Sequence, residues 1–207
     1  MTGFKSGWDF IRFSDAVLSR YRYAHTVETR DFLRALTESA EHRALRISAN
    51  AQYWRAQLGT YLKERVINSD PELTVVTEEP VPYSADRMKP KRSSAREGRV
   101  NPKGIPCLYL ATTKETALAE MRPYLGALLS LAMLQTDREL RVVDVSVDHD
   151  KRLTRDLLLG NFPTEEITAG IWSQVDQAFA EPVNADDDSM ASYAPTQIMA
   201  EALVSAS

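Results

Sequence analysis

Four side chains in this sequence are of the types that bind an anionic, aromatic ligand and stabilise positive charge on a sugar. They are Arg55, Arg99, Tyr109 and Glu120. Arginine binds phosphate through paired hydrogen bonds and keeps its positive charge in proteins. A tyrosine offers its ring face to a flat heterocycle, and a carboxylate near a ribose stabilises an oxocarbenium-like transition state. Together these residue types suit cleavage of a nicotinamide–ribose bond, because nicotinamide is already a positively charged leaving group.

Each of these residues also has an ordinary structural explanation. Arg55 follows Trp54 and could be a strand-edge arginine stacked on an aromatic ring. Tyr109 could belong to the core, and Glu120 could pair with Arg122 or with a core arginine. Carboxylates are rarely buried without a partner, so Glu120 in its apolar helical stretch is the hardest of the four to explain structurally. From spacing alone, the sequence supports an anion site on an α+β domain.

The stretch 98–120 is expected to bring one arginine, one tyrosine and one carboxylate near a common ligand. A basic, turn-rich segment runs into a short apolar strand predicted over 107–111. Thr112 is predicted to cap the following helix, since Glu115 lies three residues later in a capping-box spacing. The segment 86–103 before it is a basic loop that contains Arg87. Loops of this length without structure of their own are often functional.

Helical patterns come first in the chain, and strands and helices are mixed afterwards. Apolar residues at helical spacing predict helices within 1–24 and over 26–45. The predicted strands are one in 47–61 that ends in a turn, an edge strand at 73–77, a buried strand over 128–136 and a strand over 140–147. Three further helices are predicted, one at 153–159, one that is capped by Thr164 and one at 196–204. This order favours an α+β fold over a regular βαβ alternation. We divide the chain into an N-terminal helical segment, 1–46, and a ligand-binding domain, 47–207.

Composition excludes several classes of protein. A net charge of -4 argues against a protein that coats nucleic acid. The single cysteine, Cys107, leaves no internal disulfide framework and fits a reducing compartment. No leader and no apolar run of about 20 residues is apparent, so we expect a cytoplasmic protein without a membrane segment. The three histidines are far apart in sequence and the acidic run at 186–188 lacks the spacing of a calcium loop, so no metal is expected.

The chain contains the stretch GRVNPKGIPCLYLATTKETALAEMRPYLG. This stretch resembles the signature of the RES-domain family, which is named for its Arg, Glu and Ser residues. Further matches are YWRAQLG at 53–59, DRMKP at 86–90 and SYAPTQIMAEAL at 192–203. The resemblance covers roughly residue 47 onward. The same domain is the toxin half of Xre–RES toxin–antitoxin pairs in bacteria.

The resemblance implies a split, mixed β-sheet related to the ADP-ribosyltransferase fold, with N-terminal helices added. It implies that NAD is the substrate, that hydrolysis or phosphorolysis of its glycosidic bond depletes the cell of NAD, and that an Xre-type antitoxin is the partner. Self-association is left open, and direct binding to nucleic acid is not expected. By motif match, the catalytic residues are Arg55, Glu120 and Tyr109, and the NAD-binding residues are Arg99, Asn101 and Arg87.

The end of the sequence departs from the family pattern. Family members continue after the TQxxAE helix into a Gly-Tyr-Asp-Gly-like turn and a strand that carries the serine. The sequence ends at Ser207, so we expect it to lack this strand, and the serine role is carried onto neither Ser205 nor Ser207. Two alternatives to an NAD-degrading toxin therefore stay open. One is an ADP-ribosyltransferase that modifies a protein, and the other is a catalytically inactive binding module.

Overall fold

The computed structural model of the chain describes residues 3–70, 73–91, 95–151, 162–181 and 190–205. Its helices are α1 (Asp9–Ser19), α2 (Val27–Ala40), α3 (Ala85–Met88), α4 (Lys114–Ala119), α5 (Thr164–Ala180) and α6 (Ala194–Ser205), with short 3-10 turns at Glu41–Arg43 and Met190–Tyr193. Its strands are β1 (Ala44–Ile47), β2 (Gln52–Leu58), β3 (Tyr61–Asp70), β4 (Leu73–Val81), β5 (Leu129–Gln135) and β6 (Leu140–Val143). The helix predicted over 153–159 and the acidic loop at 186–188 lie outside the described residues.

The strands form three two-stranded sheets, which pair β1 with β6, β2 with β5 and β3 with β4. The β2–β5 and β3–β4 pairs are antiparallel. Helices at the start of the chain followed by mixed elements confirm the predicted α+β class, whereas the relation to the ADP-ribosyltransferase fold stays a prediction. None of the described helices is both long and apolar enough to cross a lipid bilayer.

The chain divides into two compact units. The first unit comprises Met1–Ile47, Arg92–Pro106 and Arg141–Ser207, and the second comprises Ser48–Lys91 and Cys107–Leu140. The division into 1–46 and 47–207 made from the sequence stays a prediction, because a compact set of contacts is not a test of an independently folding domain.

Helices α1, α2, α5 and α6 form the core of the first unit. Their buried apolar side chains recur at helical spacing, and they include Phe13, Val17, Phe32, Leu36, Ile171, Val175 and Met199. The stacked rings of Phe13 and Phe32 join α1 to α2, with their centroids 4.4 Å apart. This packing confirms the two helices predicted at the start of the chain and explains them, since an amphipathic helix is stabilised mainly by burial of its apolar face.

A buried ion pair lies beside this core. Arg43 donates to the carboxylate of Asp148, and both side chains are more than nine-tenths buried. The Arg43 guanidinium also lies over the Trp172 ring, 4.4 Å from its centroid, while Lys151 pairs with the other carboxylate oxygen at 3.2 Å. Burial raises the pKa of Asp148, but the hydrogen bonds from Arg43 and Lys151 hold it below its ordinary value.

Strand β2 is the structural centre of the second unit. It pairs along its whole length with β5, from Gln52 opposite Gln135 to Leu58 opposite Leu129. On its other side Trp54 exchanges two backbone hydrogen bonds of 2.8 Å with Ala111. Helix α4 packs on both β2 and β5, and β3 and β4 form a hairpin that follows β2. Both strands predicted here, in 47–61 and over 128–136, are confirmed.

Gly59 ends β2 in a conformation that requires glycine. Its φ is +97°, and a Cβ at this position would lie 2.3 Å from the hydroxyl of Tyr83. We expect Gly59→Ala to lower the free energy of unfolding by about 2 kcal/mol, because backbone strain and displacement of Tyr83 add. Urea unfolding of the purified chain measures this loss.

Gly126→Ala is the matched control for this substitution. Gly126 also has a positive φ, +85°, but among the described residues no atom lies within 4 Å of its added Cβ. Its substitution should therefore cost only the backbone strain, about 1 kcal/mol. Equal losses for the two variants would show that Tyr83 is not held against Gly59.

Several local predictions are wrong in their bounds. The strand predicted over 107–111 is absent except for the bridge of Ala111 to Trp54. Thr113, one residue after the predicted cap, caps α4 by accepting a hydrogen bond from the Thr116 N–H. Two adjacent threonines offer the same cap chemistry, so spacing alone does not choose between them.

Two further boundaries differ for identifiable reasons. The strand predicted over 140–147 stops at Val143, since the Asp144 carboxylate accepts hydrogen bonds from the backbone N–H and the hydroxyl of Ser146 and turns the chain. Helix α5 begins one residue earlier than predicted, with Pro163 at the cap position and Thr164 as its first residue. Pro163 presets a φ that suits the start of a helix.

Candidate functional site

The six residues predicted to act on a ligand are divided between the two units. The second unit holds Arg55, Arg87, Tyr109 and Glu120, and the first holds Arg99 and Asn101.

Arg55 lies in the middle of β2, opposite Ala132 of β5. It is not a strand-edge arginine, because its neighbour Trp54 is bridged on the other side of the strand to Ala111. The residue is half-buried, and two of its guanidinium nitrogens, Nε and Nη1, are shielded from solvent without a hydrogen-bond partner among the described residues.

The charges around Arg55 do not neutralise it. Burial lowers the pKa of Arg55 below its ordinary value, and the positive charge of Arg87 lowers it further, whereas Cys107 acts in the opposite direction. Buried N–H groups of a charged side chain are costly when unpaired, by about 1–3 kcal/mol or more. A half-buried guanidinium with unpaired donors and a second arginine nearby is an arrangement suited to an anionic ligand.

Cys107 is the other ionisable group beside Arg55. Burial raises the pKa of its thiol, although the Leu108 backbone N–H and the charge of Arg55 lower it. We therefore expect the Cys107 side chain to be a neutral thiol at pH 7. It does not balance the arginine charge.

Arg87 extends from α3 toward the same strand. Its Nη1 donates a hydrogen bond of 2.8 Å to Oε1 of Gln57, and its guanidinium lies over the ring of Tyr83, 4.9 Å from the centroid. Gln57 is two residues from Arg55 along β2, so the two side chains lie on one face of the strand. The sequence-based reasoning missed Gln57 and Tyr83, although the two-residue period of a strand was a signal for Gln57.

Tyr109 and Glu120 are both more exposed than expected. Tyr109 is 46% exposed, so it is not a core residue. Glu120 is an exposed carboxylate at the C-terminal end of α4, where its backbone N–H bonds to the Thr116 carbonyl at 3.0 Å. In the part of the chain that the structure describes, Glu120 makes no ion pair, so the explanation by a salt bridge to Arg122 is wrong.

Arg99 and Asn101 form a turn that is tied to two helices of the first unit. Arg99 Nη1 donates to the carbonyl oxygens of Phe179 and Ala180, at 2.9 and 3.0 Å. These carbonyls end α5, where the helix dipole favours a cation. Asn101 is buried, and its Nδ2 donates to three backbone carbonyls, of which those of Arg96 and Ile105 are the nearest at 2.9 and 2.8 Å.

Two side chains at the start of α6 also donate hydrogen bonds to the backbone of this turn. Gln197 Nε2 donates to the carbonyl oxygens of Gly98 and Asn101, at 2.9 and 3.2 Å. The Thr196 hydroxyl donates to the Arg99 carbonyl at 2.6 Å. The Thr-Gln pair of the SYAPTQIMAEAL segment therefore fixes the backbone of the basic turn, a role that the sequence-based reasoning did not assign.

Comparison with known families identifies the chain at the level of its domain. The model of the RES domain family matches residues 76–207, more than half of the chain, so the chain belongs to that family. No curated protein and no solved structure matches it. The match begins later than the resemblance expected from about residue 47, so it leaves out Arg55. It includes Arg87, Arg99, Asn101, Tyr109 and Glu120.

Among the described residues, no group of three or more His, Cys, Asp or Glu side chains is arranged to hold a metal ion.

Proposed function

We propose that this RES-domain protein cleaves the nicotinamide–ribose bond of NAD. Membership in the family supports the proposal, because the resemblance of the chain to RES toxins implies an NAD-consuming activity. The observation that carries it is Arg55, whose buried Nε and Nη1 have no hydrogen-bond partner among the described residues. The pyrophosphate of NAD would supply the acceptors and the negative charge that this guanidinium lacks.

The roles of Tyr109 and Glu120 are those that the resemblance implies, whereas the pairing of Arg87 with Arg55 is proposed from the hydrogen bond of Arg87 to Gln57 on β2. Arg87 would bind the pyrophosphate with Arg55, Tyr109 would pack on the nicotinamide or its ribose, and Glu120 would stabilise the oxocarbenium-like transition state. The NAD-binding role that the resemblance implies for Arg99 and Asn101, which belong to the first unit, stays a prediction. For Asn101 this role would be indirect, because its side-chain amide already donates to backbone carbonyls of the turn.

The proposed reaction balances without a metal or a redox partner. The glycosidic bond breaks, and its electron pair neutralises the pyridinium nitrogen, so nicotinamide leaves as a neutral molecule. The positive charge passes to the ribose carbon and its ring oxygen, where an exposed carboxylate such as Glu120 can stabilise it. Water then forms a bond to this carbon and releases a proton, which gives ADP-ribose. Phosphate as acceptor gives a phosphorylated ADP-ribose instead.

The proposal also concerns the protein partner and the effect of NAD cleavage in the cell. Because the RES domain is the toxin half of Xre–RES pairs, we propose an Xre-type antitoxin as the protein partner and depletion of cytoplasmic NAD as the toxic effect.

Glu120→Gln tests the catalytic assignment. We expect the rate of nicotinamide release from NAD to fall about 100-fold or more, because the amide removes the charge that stabilises the transition state. The fold should be unaffected, since Glu120 is exposed and without an ion pair in the described residues. Chromatographic quantification of nicotinamide measures the rate.

The matched control is Glu115→Gln in the same short helix. Glu115 is exposed and pairs with Lys114 at 3.7 Å, so its loss should leave the rate unchanged. A Glu120→Gln variant as active as the wild type would contradict the assignment. Labelled NAD distinguishes the acceptors, because label on a protein indicates ADP-ribosyl transfer and a phosphate-dependent product indicates phosphorolysis.

A further inference from the structure

We propose that Tyr83 and Gln57 are positioning residues that fix Arg87 beside Arg55, and that the two arginines thereby select a substrate with two adjacent phosphates over one with a single phosphate. The inference rests on the proposed function, since it concerns the same site. It adds two residues that lack the charge to bind phosphate themselves and act through Arg87.

Arg87 is an exposed side chain on a four-residue helix, which would ordinarily sample many rotamers. Two contacts restrain it. Its Nη1 donates to Gln57 Oε1 at 2.8 Å, and its guanidinium carbon lies over the Tyr83 ring, 4.9 Å from the centroid. The first contact fixes one end of the guanidinium and the second restrains the guanidinium against the ring, so together they determine where its charge lies.

Tyr83 is itself held at both ends. Its backbone N–H donates to Ser130 Oγ at 2.9 Å, and its hydroxyl donates to the Leu58 carbonyl at 3.3 Å. The Ser130 hydroxyl, fully buried, donates in turn to the Gly59 carbonyl at 2.7 Å. The ring also packs edge-on against Tyr61, with centroids 4.9 Å apart. A side chain held by β2, β3 and β5 is a rigid support for a cation.

The chemistry of the support indicates that the charge is kept for a ligand. Gln57 is a neutral amide, so it orients Arg87 without cancelling its charge, whereas a carboxylate there would form an ion pair. In the described residues Arg87 has no acidic partner. Two other arginines of the second unit do have one, since Arg65 pairs with Glu79 and Arg138 with Asp137.

Two positive charges on one face repel each other, and this repulsion contributes to the lowered pKa of Arg55. A ligand with one phosphate can satisfy one guanidinium fully, whereas a pyrophosphate offers a separate group to each. The arrangement of Arg55 and Arg87 therefore favours the dinucleotide over a mononucleotide.

The test compares kcat/KM for NAD and for nicotinamide mononucleotide, which carries one phosphate. We expect Arg87→Ala to lower the preference for NAD about tenfold or more, and Tyr83→Ala and Gln57→Leu to lower it about threefold each. The change should fall on KM and leave kcat nearly constant. Tyr83→Phe should retain most of the preference because it keeps the ring face under Arg87.

Tyr23→Ala serves as control, since Tyr23 is 88% exposed and makes neither of the contacts that restrain Arg87. The Tyr23→Ala variant should show the same preference for NAD over nicotinamide mononucleotide as the wild type. If Tyr83→Ala fails to fold, Gln57→Leu still tests the inference, because Gln57 is not part of the buried core. An unchanged preference in Arg87→Ala and Gln57→Leu, or an equal loss for both substrates, would overturn the inference.

Calorimetric titration with inorganic pyrophosphate and inorganic phosphate separates this inference from the proposed function. We expect the wild type to bind pyrophosphate more tightly than phosphate, and Gln57→Leu to narrow the difference. That result without any NAD cleavage would support the arginine pair and contradict the enzymatic proposal. Equal affinities for the two anions would overturn the inference even in an active enzyme.

Discussion

Replacing Arg55 by methionine is expected to raise the free energy of unfolding by about 1 kcal/mol and to lower NAD cleavage about 100-fold or more. Methionine fills a similar space with no N–H donors, so the substitution removes two buried N–H groups that have no partner in the described part of the chain. It also removes the repulsion between Arg55 and Arg87. A residue kept for ligand binding commonly reduces stability in this way. Urea unfolding and nicotinamide release measure the two effects on the same preparation.

Arg138→Met is the matched control. Arg138 belongs to the same unit, but its side chain is 75% exposed and pairs with Asp137 at 3.6 Å. Exposed pairs of this kind contribute little, so stability should change by less than about 0.5 kcal/mol and activity should not change. A destabilised Arg55→Met variant that still cleaves NAD would show that Arg55 is a structural residue.

Arg43→Ala is expected to lower the free energy of unfolding by about 3 kcal/mol. The substitution leaves the buried carboxylate of Asp148 with Lys151 as its remaining ion-pair partner and removes the guanidinium that covers Trp172. Urea unfolding followed by near-ultraviolet circular dichroism measures the loss. Because the pKa of Asp148 is lowered in the folded state, its contribution to stability is complete above the unfolded pKa of about 3.9. That contribution is lost as the pH falls through the lower folded value.

Arg141→Ala provides the comparison, since Arg141 pairs with Glu41 and both side chains are at least half exposed. Its loss should cost less than about 1 kcal/mol. Similar losses for Arg43→Ala and Arg141→Ala at neutral pH would contradict the importance assigned to burial of the Arg43–Asp148 pair.

Helices and central strands could be predicted from the sequence because their stabilisation is local and periodic. Phe13 and Val17, or Ile171 and Val175, lie four residues apart and are buried on one side of their helices. The strand pattern in 47–61 corresponds to β2 for the same reason. Boundaries depended on single side chains, as where Asp144 ends β6 by accepting hydrogen bonds from Ser146.

The candidate site was predictable by residue type but not by environment. The sequence identified Arg55 as a possible phosphate ligand, but only the fold shows that its buried nitrogens have no partner among the residues that the structure describes. Glu120 lies in an apolar stretch and yet is exposed, directly after Ala119, the last residue of α4. The support of Arg87 depends on Tyr83 and on Ser130, which is 47 residues further along the chain. Contacts of that range leave no periodic signal in a sequence.

Nicotinamide release from NAD by the purified wild-type chain tests the central claim most directly. The reaction is followed at high protein concentration by chromatography, with Glu120→Gln and Arg55→Met measured in parallel. We predict stoichiometric release of nicotinamide by the wild type and little or none by either variant. Intact NAD after prolonged incubation with a folded wild-type protein would contradict the proposed function.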